Sequence, residues 1–298
     1  MISPEGQRIR NWLSENLKNA PRPSSIQEAR AGLEAMASQK QVVAGSLIVP
    51  VMLGSVPGEW VSALGDDSEK VILYLHGGGY TMGSLKSSRA MVSELSSASG
   101  INALVVDYRL APEHPFPAAV EDSTAAYRRL LDQGTRPDRV VIVGDSSGGG
   151  LALALLVTLR DSGIAPPAAA VLLSPWTDLA GTGESMITRA DVDPWLTPDQ
   201  NRANAALYAG ETDLKNPLVS PLYADLGGLP PLLIHVGGDE IMLDDSTRLA
   251  DRARAAGVEV TLDIWEGMWH AWHHFAPKLP EAVRAIEQIG KFIREKTV

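Results

Sequence analysis

The chain has 298 residues, of which 45% are hydrophobic and 21% charged; these ordinary globular values allow one large α/β domain with a substantial core. Its net charge of −10, without a visible cluster of Lys and Arg, argues against binding to nucleic acid or to an anionic membrane. The absence of cysteine excludes disulfides, thiolate chemistry and Cys-ligated metals.

Residues 1–40 carry apolar side chains at helical spacing, at Ile9, Trp12, Leu13 and Leu17, ahead of the first strand pattern. They lack the charged-then-apolar pattern of a signal peptide. Apolar stretches along the chain reach only about 14 residues, which is too short to cross a bilayer. We therefore expect a cytoplasmic protein that does not insert into a membrane.

Strand and helix patterns alternate through most of the remaining chain. Residues 41–64 resemble one or two extended strands without helices, so the sheet is expected to begin antiparallel. The later alternation predicts a mostly parallel sheet with helices on both faces. The predicted strands cover 71–75, 103–107, 140–143, 169–173, 232–236 and 258–265, and the main predicted helices cover 87–99, 118–132, 147–160, 246–256 and 281–296.

Residues 179–226 interrupt this alternation with irregular sequence and one helix-like run, 199–208. Together with residues 1–40 they are expected to form a small helical cap over the carboxyl ends of the strands, where open α/β sheets place their sites. The main domain would then comprise residues 41–178 and 227–298. A surface excursion without function is the alternative.

The most informative stretch is Gly144-Asp145-Ser146-Ser147-Gly148, a G-x-S-x-G motif between a β-branched strand pattern and an Ala/Leu-rich helix pattern. A nucleophile elbow requires this context, because a tight turn holds the serine in strained geometry and small flanking residues let the chains pack closely. The sequence therefore predicts Ser146 as a nucleophile. A glycine-rich helix start that binds an anion is the alternative.

A second motif, His76-Gly77-Gly78-Gly79, directly follows the strand pattern at 71–75. Such a run after an early strand supplies backbone N–H donors to the oxyanion that forms during acyl transfer. Side chains would obstruct close approach there, which is a physical reason for consecutive glycines. A glycine triplet alone indicates only a loop, but with the elbow downstream it predicts an acyl-transfer site.

A serine nucleophile needs a base, and the base needs an orienting carboxylate. In proteins with this kind of elbow, the order along the chain is nucleophile, carboxylate, base. His270 follows the last strand pattern in a loop that can turn towards the elbow, and it is the predicted base. His235 lies inside an apolar strand pattern and is expected to be a packed core residue.

The spacing of His270, His273 and His274 would also suit a metal site, but no H-E-x-x-H pattern or run of carboxylate ligands accompanies it. We therefore expect no metal. His273 and His274 are expected on a helix surface or as supporting groups around the site.

Three aspartates are candidates for the orienting carboxylate. Asp239 comes three residues after a strand pattern ends, in a loop that could point at the same site. Asp244 and Asp245 lie one turn later, where they would cap the next helix as N-terminal carboxylates. Asp239 is therefore the predicted carboxylate.

Several motifs in this order make the chain resemble the hormone-sensitive-lipase-like family of bacterial carboxylesterases, which have the α/β-hydrolase fold. The resemblance runs from about residue 70 to the C-terminus and is weak in the N-terminal segment. The motifs are His76-Gly77-Gly78-Gly79, Asp107-Tyr108-Arg109-Leu110-Ala111-Pro112-Glu113, Gly144-Asp145-Ser146-Ser147-Gly148-Gly149, Ser174-Pro175-Trp176, Asp239-Glu240-Ile241-Met242-Leu243-Asp244-Asp245 and Gly267-Met268-Trp269-His270.

The resemblance implies Ser146, Asp239 and His270 as the catalytic triad, with oxyanion donors from residues 77–79 and from the Ser147 N–H. The family pattern more often has Ala at the position of Ser147. This departure keeps the backbone donor and adds a hydroxyl, which makes Ser147 a second, weaker candidate nucleophile.

The expected function is hydrolysis of esters with short-to-medium acyl chains through a covalent acyl-enzyme, without cofactor or metal. The candidate substrate-binding residues are Tyr80, Met82, Trp195, Leu196 and Tyr208, although core packing would explain each of them equally well. The small-molecule ester is the expected partner. A homodimer through the last strand and the last helix is a further arrangement that the resemblance implies.

Four other functions are alternatives to ester hydrolysis. A chymotrypsin-like protease would need its His and Asp upstream of the serine and an all-β pattern, and an α/β-hydrolase peptidase usually carries a large extra domain. A binding-only module of this fold lacks the catalytic histidine, whereas His270 stands at that position here. An amidase or lactonase is the nearer alternative, because a triad alone does not distinguish acyl leaving groups.

Overall fold

The computed structural model describes residues 2–63 and 67–297, so residue 64, the end of the first predicted extended segment, lies outside the described residues. The strands are β1 Leu47–Leu53, β2 Val56–Ser62, β3 Asp67–Leu75, β4 Ile101–Val106, β5 Val140–Asp145, β6 Ala169–Leu173, β7 Leu232–Gly237 and β8 Val260–Trp265. The α-helices are α1 Pro4–Leu13, α2 Ile26–Ser38, α3 Leu85–Ser99, α4 Ala118–Asp132, α5 Ser147–Asp161, α6 Ser185–Thr188, α7 Pro198–Ala209, α8 Leu243–Ala255 and α9 Pro280–Lys296.

The described strands form one sheet in the order β1-β2-β4-β3-β5-β6-β7-β8. β2 pairs antiparallel with β1 and with β4, and the other neighbouring pairs are parallel. This confirms the predicted α/β fold with an antiparallel start. Because β3, β5 and β7 run in the same direction, the loops after them meet at one edge of the sheet.

Helices cover both faces of the sheet, and alternating side chains of the central strands contact one face or the other. Val71, Leu73 and Leu75 of β3 pack in the cluster that α4, α5 and α8 complete, whereas Ile72 and Tyr74 pack with α3 and α9. This alternation is the two-residue period of a strand buried on both sides. All residues of β5 and β6 are buried, which explains their continuous apolar sequences.

The N-terminal helices contact the insertion at 179–226 through charged side chains. The Lys18 ammonium donates to the carbonyl oxygens of Ala190, Asp191 and Asp193 at 2.7, 2.9 and 2.7 Å. The Arg10 guanidinium donates to the carbonyl oxygen of Val192 at 2.7 Å. The two segments that were expected to form a cap are therefore joined by hydrogen bonds.

β8 forms the far edge of the sheet, and its Ile264 is 43% exposed. The homodimer expected through this strand stays a prediction. Within residues 2–63 and 67–297, every helix falls short of the length and apolar character that crossing a bilayer would demand.

The packing of α9 on α3 gives a test with a matched control. A Cβ added at Gly290 of α9 would lie 2.5 Å from the carbonyl oxygen of Ala98, whereas one added at Gly32 of α2 meets no atom within 4 Å. Gly290→Ala should therefore lower the free energy of unfolding by about 1–3 kcal/mol. Gly32→Ala should raise it by about 0.5–1 kcal/mol through helix propensity. Urea-induced unfolding measures both, and changes of the same sign would contradict this account of the packing.

Candidate active site

The G-x-S-x-G motif forms a sharp turn between β5 and α5. Ser146 has φ 55° and ψ −123°, a conformation that costs energy for a residue with a side chain. Close packing holds it in place, because a Cβ at Gly148 would lie only 2.0 Å from the carbonyl oxygen of Leu75, and one at Gly144 only 2.2 Å from that of Gly148. The strained turn presents the Ser146 side chain at the carboxyl edge of the sheet.

The structure brings the predicted nucleophile and base together. His270 Nε2 lies 2.9 Å from Ser146 Oγ, and the two residues are only 3% and 8% exposed. His270 reaches the elbow from the loop that follows β8. The next residue, Ala271, donates its N–H to Ser174 Oγ at 3.0 Å and so fixes the loop against the end of β6.

The structure corrects the prediction for the orienting carboxylate. His270 Nδ1 lies 2.6 Å from Glu240 Oε2, and Glu240 is fully buried. Asp239 instead forms an ion pair with Arg10, with 2.6 Å between Oδ2 and a guanidinium nitrogen. The two neighbouring carboxylates point in different directions, because the chain turns sharply after β7 and only the second one faces the histidine.

Two donors from the scaffold hold the Glu240 carboxylate. Its Oε1 accepts hydrogen bonds from the Gly237 N–H at 2.6 Å and from the Ser174 hydroxyl at 2.7 Å. Since Ser174 Oγ also accepts the Ala271 N–H, one serine contacts both the carboxylate and the loop that carries the histidine. The pair of Glu240 and His270 is therefore oriented by the ends of β6 and β7.

The same contacts set the protonation of the histidine. Burial disfavours the charged imidazolium, but the hydrogen bond and negative charge of Glu240 outweigh it and raise the pKa of His270 above its ordinary value. A raised pKa means that the ring is a strong proton acceptor and is then stabilised as a cation beside a carboxylate.

The glycine turn, residues 76–80, follows β3 and lies against the elbow. The Gly77 N–H donates to Asp145 Oδ1 at 2.9 Å, so this predicted oxyanion donor is already occupied. Among the described residues, the N–H groups of Gly78, Gly79 and Ser147 have no partner. These three groups are free to bind an anionic oxygen beside Ser146.

Asp145 is the buried carboxylate that joins the glycine turn to the elbow. It accepts the Tyr74 hydroxyl at 2.6 Å and lies 3.0 Å from His274 Nε2, besides its bond to the Gly77 N–H. Burial opposes ionisation, but the charge and hydrogen bond of His274 and the Tyr74 bond outweigh it and lower the pKa of Asp145 to about 2. His274 is thus a supporting group of the site.

His273 is not on a helix surface, as the sequence allowed, but buried beside His235. His273 Nε2 lies 3.2 Å from His235 Nδ1, and burial lowers the pKa of His273 well below its ordinary value. The expected core position of His235 agrees with the structure, where it is fully buried. Asp244 and Asp245 lie in the first turn of α8, where their carboxylates accept backbone N–H groups of the insertion and of the loop after β6.

The candidate substrate-binding residues separate into two groups. The Trp195 ring lies edge-on to the His270 ring at 6.2 Å between centroids, next to the half-buried Leu196. Tyr80 and Tyr208 instead stack on each other at 3.7 Å between ring centroids and are 1% exposed, so they belong to the packed core. Met82 is half-buried after the glycine turn.

Asp193 also lies in this region, and no sequence motif indicated a role for it. Its carboxylate accepts the N–H groups of Trp195 and Leu196 at 2.9 Å and that of Ile241 at 3.0 Å. Burial raises the pKa of Asp193 to about 6. Because Ile241 directly follows Glu240, this carboxylate fastens the insertion to the loop of the orienting residue.

Comparisons with known proteins agree with this geometry. A family model described as the alpha/beta hydrolase fold matches residues 72–274. An acetyl-hydrolase of Streptomyces hygroscopicus is 44% identical and aligns with 100% of this chain and 98% of its own. A solved esterase from the bacterial hormone-sensitive lipase (HSL) family is 46% identical over 100% of both chains, with a TM-score of 0.97. The structure of EstE5 soaked with p-nitrophenyl butyrate is 48% identical over 99% of each chain, with a TM-score of 0.94.

The contact between Glu240 and His270 predicts an NMR titration. In the native protein the His270 ring should hold its proton above the ordinary histidine pKa of about 6.5. Glu240→Gln removes the negative charge and keeps the burial, so the pKa of His270 should fall. Asp239→Asn is the matched control and should shift it far less, because Asp239 does not contact the ring. A larger shift in Asp239→Asn than in Glu240→Gln would contradict the assignment.

Proposed function

Because the chain belongs to the hormone-sensitive lipase family of bacterial esterases, which have the α/β-hydrolase fold, we propose that it hydrolyses esters with short-to-medium acyl chains through a covalent acyl-enzyme. The observation that carries the proposal is the continuous chain of contacts from Ser146 through His270 to Glu240, at 2.9 and 2.6 Å. A nucleophile, a base and an orienting carboxylate in this arrangement are the components of acyl transfer.

In the first half of the reaction, Ser146 Oγ attacks the ester carbonyl carbon while His270 Nε2 accepts the hydroxyl proton. The C–O bond to the alcohol then breaks, and His270 donates the proton to the departing alkoxide oxygen. Glu240 keeps the Nδ1 proton of the ring in place and stabilises the imidazolium. In the second half, a water molecule attacks the carbonyl carbon of the acyl-enzyme while His270 Nε2 accepts a proton from it. The bond between the acyl carbon and Ser146 Oγ then breaks, His270 returns the proton to Ser146 Oγ, and the carboxylic acid leaves.

The negative charge that develops on the carbonyl oxygen is bound by backbone donors. We assign this role to the N–H groups of Gly78, Gly79 and Ser147. The Gly77 N–H is not included, because it already donates a hydrogen bond to Asp145. The N-terminus of α5 adds a favourable dipole at the same place. Removal of one such donor typically costs on the order of 10²–10³ in rate, so the glycine turn contributes substantially to the acceleration beside the triad.

The cap is part of the same proposal. Residues 1–40 and 179–226, which Lys18 and Arg10 hold together, would enclose the acyl group over the carboxyl edge of the sheet. Trp195 supplies an apolar wall beside His270. The related EstE5 was soaked with p-nitrophenyl butyrate, which makes this short ester a suitable probe for the present chain.

The nucleophile is tested by hydrolysis of p-nitrophenyl esters over a range of acyl lengths. Activity should peak at short chains, and Ser146→Ala should lower kcat by at least about 10⁴-fold, because nothing else can form the acyl-enzyme. Ser147→Ala is the control for the neighbouring hydroxyl and should stay within about 20-fold of the native protein. If the native protein hydrolyses none of these esters, the proposed function is wrong. If Ser146→Ala keeps its activity, the assignment of Ser146 as the nucleophile is wrong.

The orienting carboxylate is tested by two neutralising substitutions at adjacent positions. Glu240→Gln should lower kcat by about 10³–10⁴-fold, because the ring loses the group that fixes its tautomer and stabilises its charge. Asp239→Asn should retain activity within about 3-fold and cost about 1 kcal/mol of stability through the ion pair with Arg10. A larger loss of kcat in Asp239→Asn than in Glu240→Gln would instead identify Asp239 as the orienting carboxylate.

A further inference from the structure

Asp145 and Ser147, which flank Ser146 in the elbow, anchor the two ends of the glycine turn. At the first end, the Gly77 N–H donates to Asp145 Oδ1 at 2.9 Å. At the second end, the Tyr80 N–H donates to Ser147 Oγ at 3.2 Å. The two glycines between these positions keep their N–H groups free. Their orientation therefore depends on both anchors.

The hydroxyls of Ser147 and Tyr108 each contact the backbone of the glycine turn in the buried interior. Ser147 Oγ accepts the Tyr80 N–H at 3.2 Å. The Tyr108 hydroxyl donates to the carbonyl oxygen of His76 at 2.6 Å. Ser147 is fully buried and Tyr108 is 2% exposed, so water does not compete for these bonds.

Tyr80 needs such an anchor because its backbone is in an unfavourable conformation. Its φ is 61°, in the left-handed region that residues with side chains rarely adopt. Three contacts hold it there: the Tyr80 ring stacks on Tyr208, its carbonyl oxygen accepts the Ala111 N–H at 2.9 Å, and its own N–H binds Ser147. Of these contacts, only the last reaches the elbow.

We propose that the Ser147 hydroxyl is a positioning group for the oxyanion donors, an inference that rests on the proposed ester hydrolysis. The Ser147 backbone N–H binds the oxyanion, while its side chain sets the distance and direction of the donors on Gly78 and Gly79. The side chain does not touch the substrate.

A role for Ser147 as a second nucleophile does not fit the same contacts. Its Oγ is fully buried and already accepts the Tyr80 N–H, and the ring of His270 bonds to Ser146 instead. The hydroxyl therefore faces the glycine turn, and not the place where an ester would react.

Ser147→Ala tests the inference because it removes the hydroxyl and keeps the backbone donor. The Tyr80 N–H loses its buried partner, so the turn should relax and the free donors should move. We expect kcat for p-nitrophenyl butyrate to fall about 10-fold, less than for a donor removed outright, with KM within about 2-fold of native. The Ki of a trifluoromethyl ketone, which forms a tetrahedral oxyanion adduct, should rise by about the same factor as kcat falls.

Ser123→Ala is the matched control. Ser123 is also fully buried on a helix, and its hydroxyl donates to the carbonyl oxygen of Val120 at 3.0 Å, on α4. The Ser123→Ala variant should lose stability as Ser147→Ala does, but its kcat and its Ki for the trifluoromethyl ketone should not change. Tyr108→Phe combined with Ser147→Ala should cost less than the product of the two separate effects, because both hydroxyls hold the same glycine turn.

Amide hydrogen exchange of residues 76–83 makes the test independent of activity. The hydrogen-bonded amides of this segment, those of Gly77, Tyr80, Thr81 and Met82, should exchange slowly in the native protein. Their exchange should be at least about 10-fold faster in Ser147→Ala and unchanged in Ser123→Ala. Unchanged exchange in Ser147→Ala, or a fall in kcat without a matching rise in Ki, would overturn the positioning role. A native protein inert on esters would overturn the proposed function instead, and the exchange result would still decide whether the hydroxyl orders the turn.

Discussion

The close approach of the elbow to the end of β3 is the constraint on which the site depends. A Cβ at Gly148 would lie 2.0 Å from the Leu75 carbonyl oxygen, and one at Gly77 2.4 Å from the Asp145 carboxylate. Only glycine allows the two backbones to come this close, and the approach brings the glycine turn against the elbow. The strain at Ser146 is the cost of this packing, and the buried bonds around it offset that cost.

The charges of the site are arranged so that each buried ionised group has a specific partner. Glu240 faces His270, Asp145 faces His274, and Asp193 receives three backbone N–H groups. An unpaired charge at such positions would be expensive, since desolvation costs several kcal/mol per ion. The pairs differ in their consequence. Glu240 contacts the ring that would accept the proton in the proposed reaction, whereas Asp145 holds the backbone of the glycine turn.

Much of the site could be predicted from the sequence because backbone geometry dictates its residue types. Gly78, Ser146 and His270 lie in motifs whose glycines and strand boundaries are required by close packing, so their spacing is informative. The carboxylate could not be chosen in the same way. Asp239 and Glu240 are adjacent after the same strand, and a difference of one residue reverses which side chain points inward.

The remaining differences share one cause, which is that the partners are distant in sequence. The family resemblance implied Gly77 as a donor, but its N–H is bound by the carboxylate of Asp145 in another strand. His273 was expected on a helix surface or as a supporting group, but it lies in the core against the strand residue His235. Local patterns predict which elements form, whereas contacts between elements decide what each side chain does.

The N-terminal segment shows the same effect of distant partners, because Arg10 contacts Asp239, which directly precedes Glu240 and lies 229 residues away in sequence. Arg10 donates to Asp239, to the Gly267 carbonyl oxygen in the histidine loop and to the Val192 carbonyl oxygen in the insertion. The guanidinium therefore links the insertion to the loops that carry Glu240 and His270. A helix that contains none of the sequence motifs of the site thus contacts two of the loops that form it.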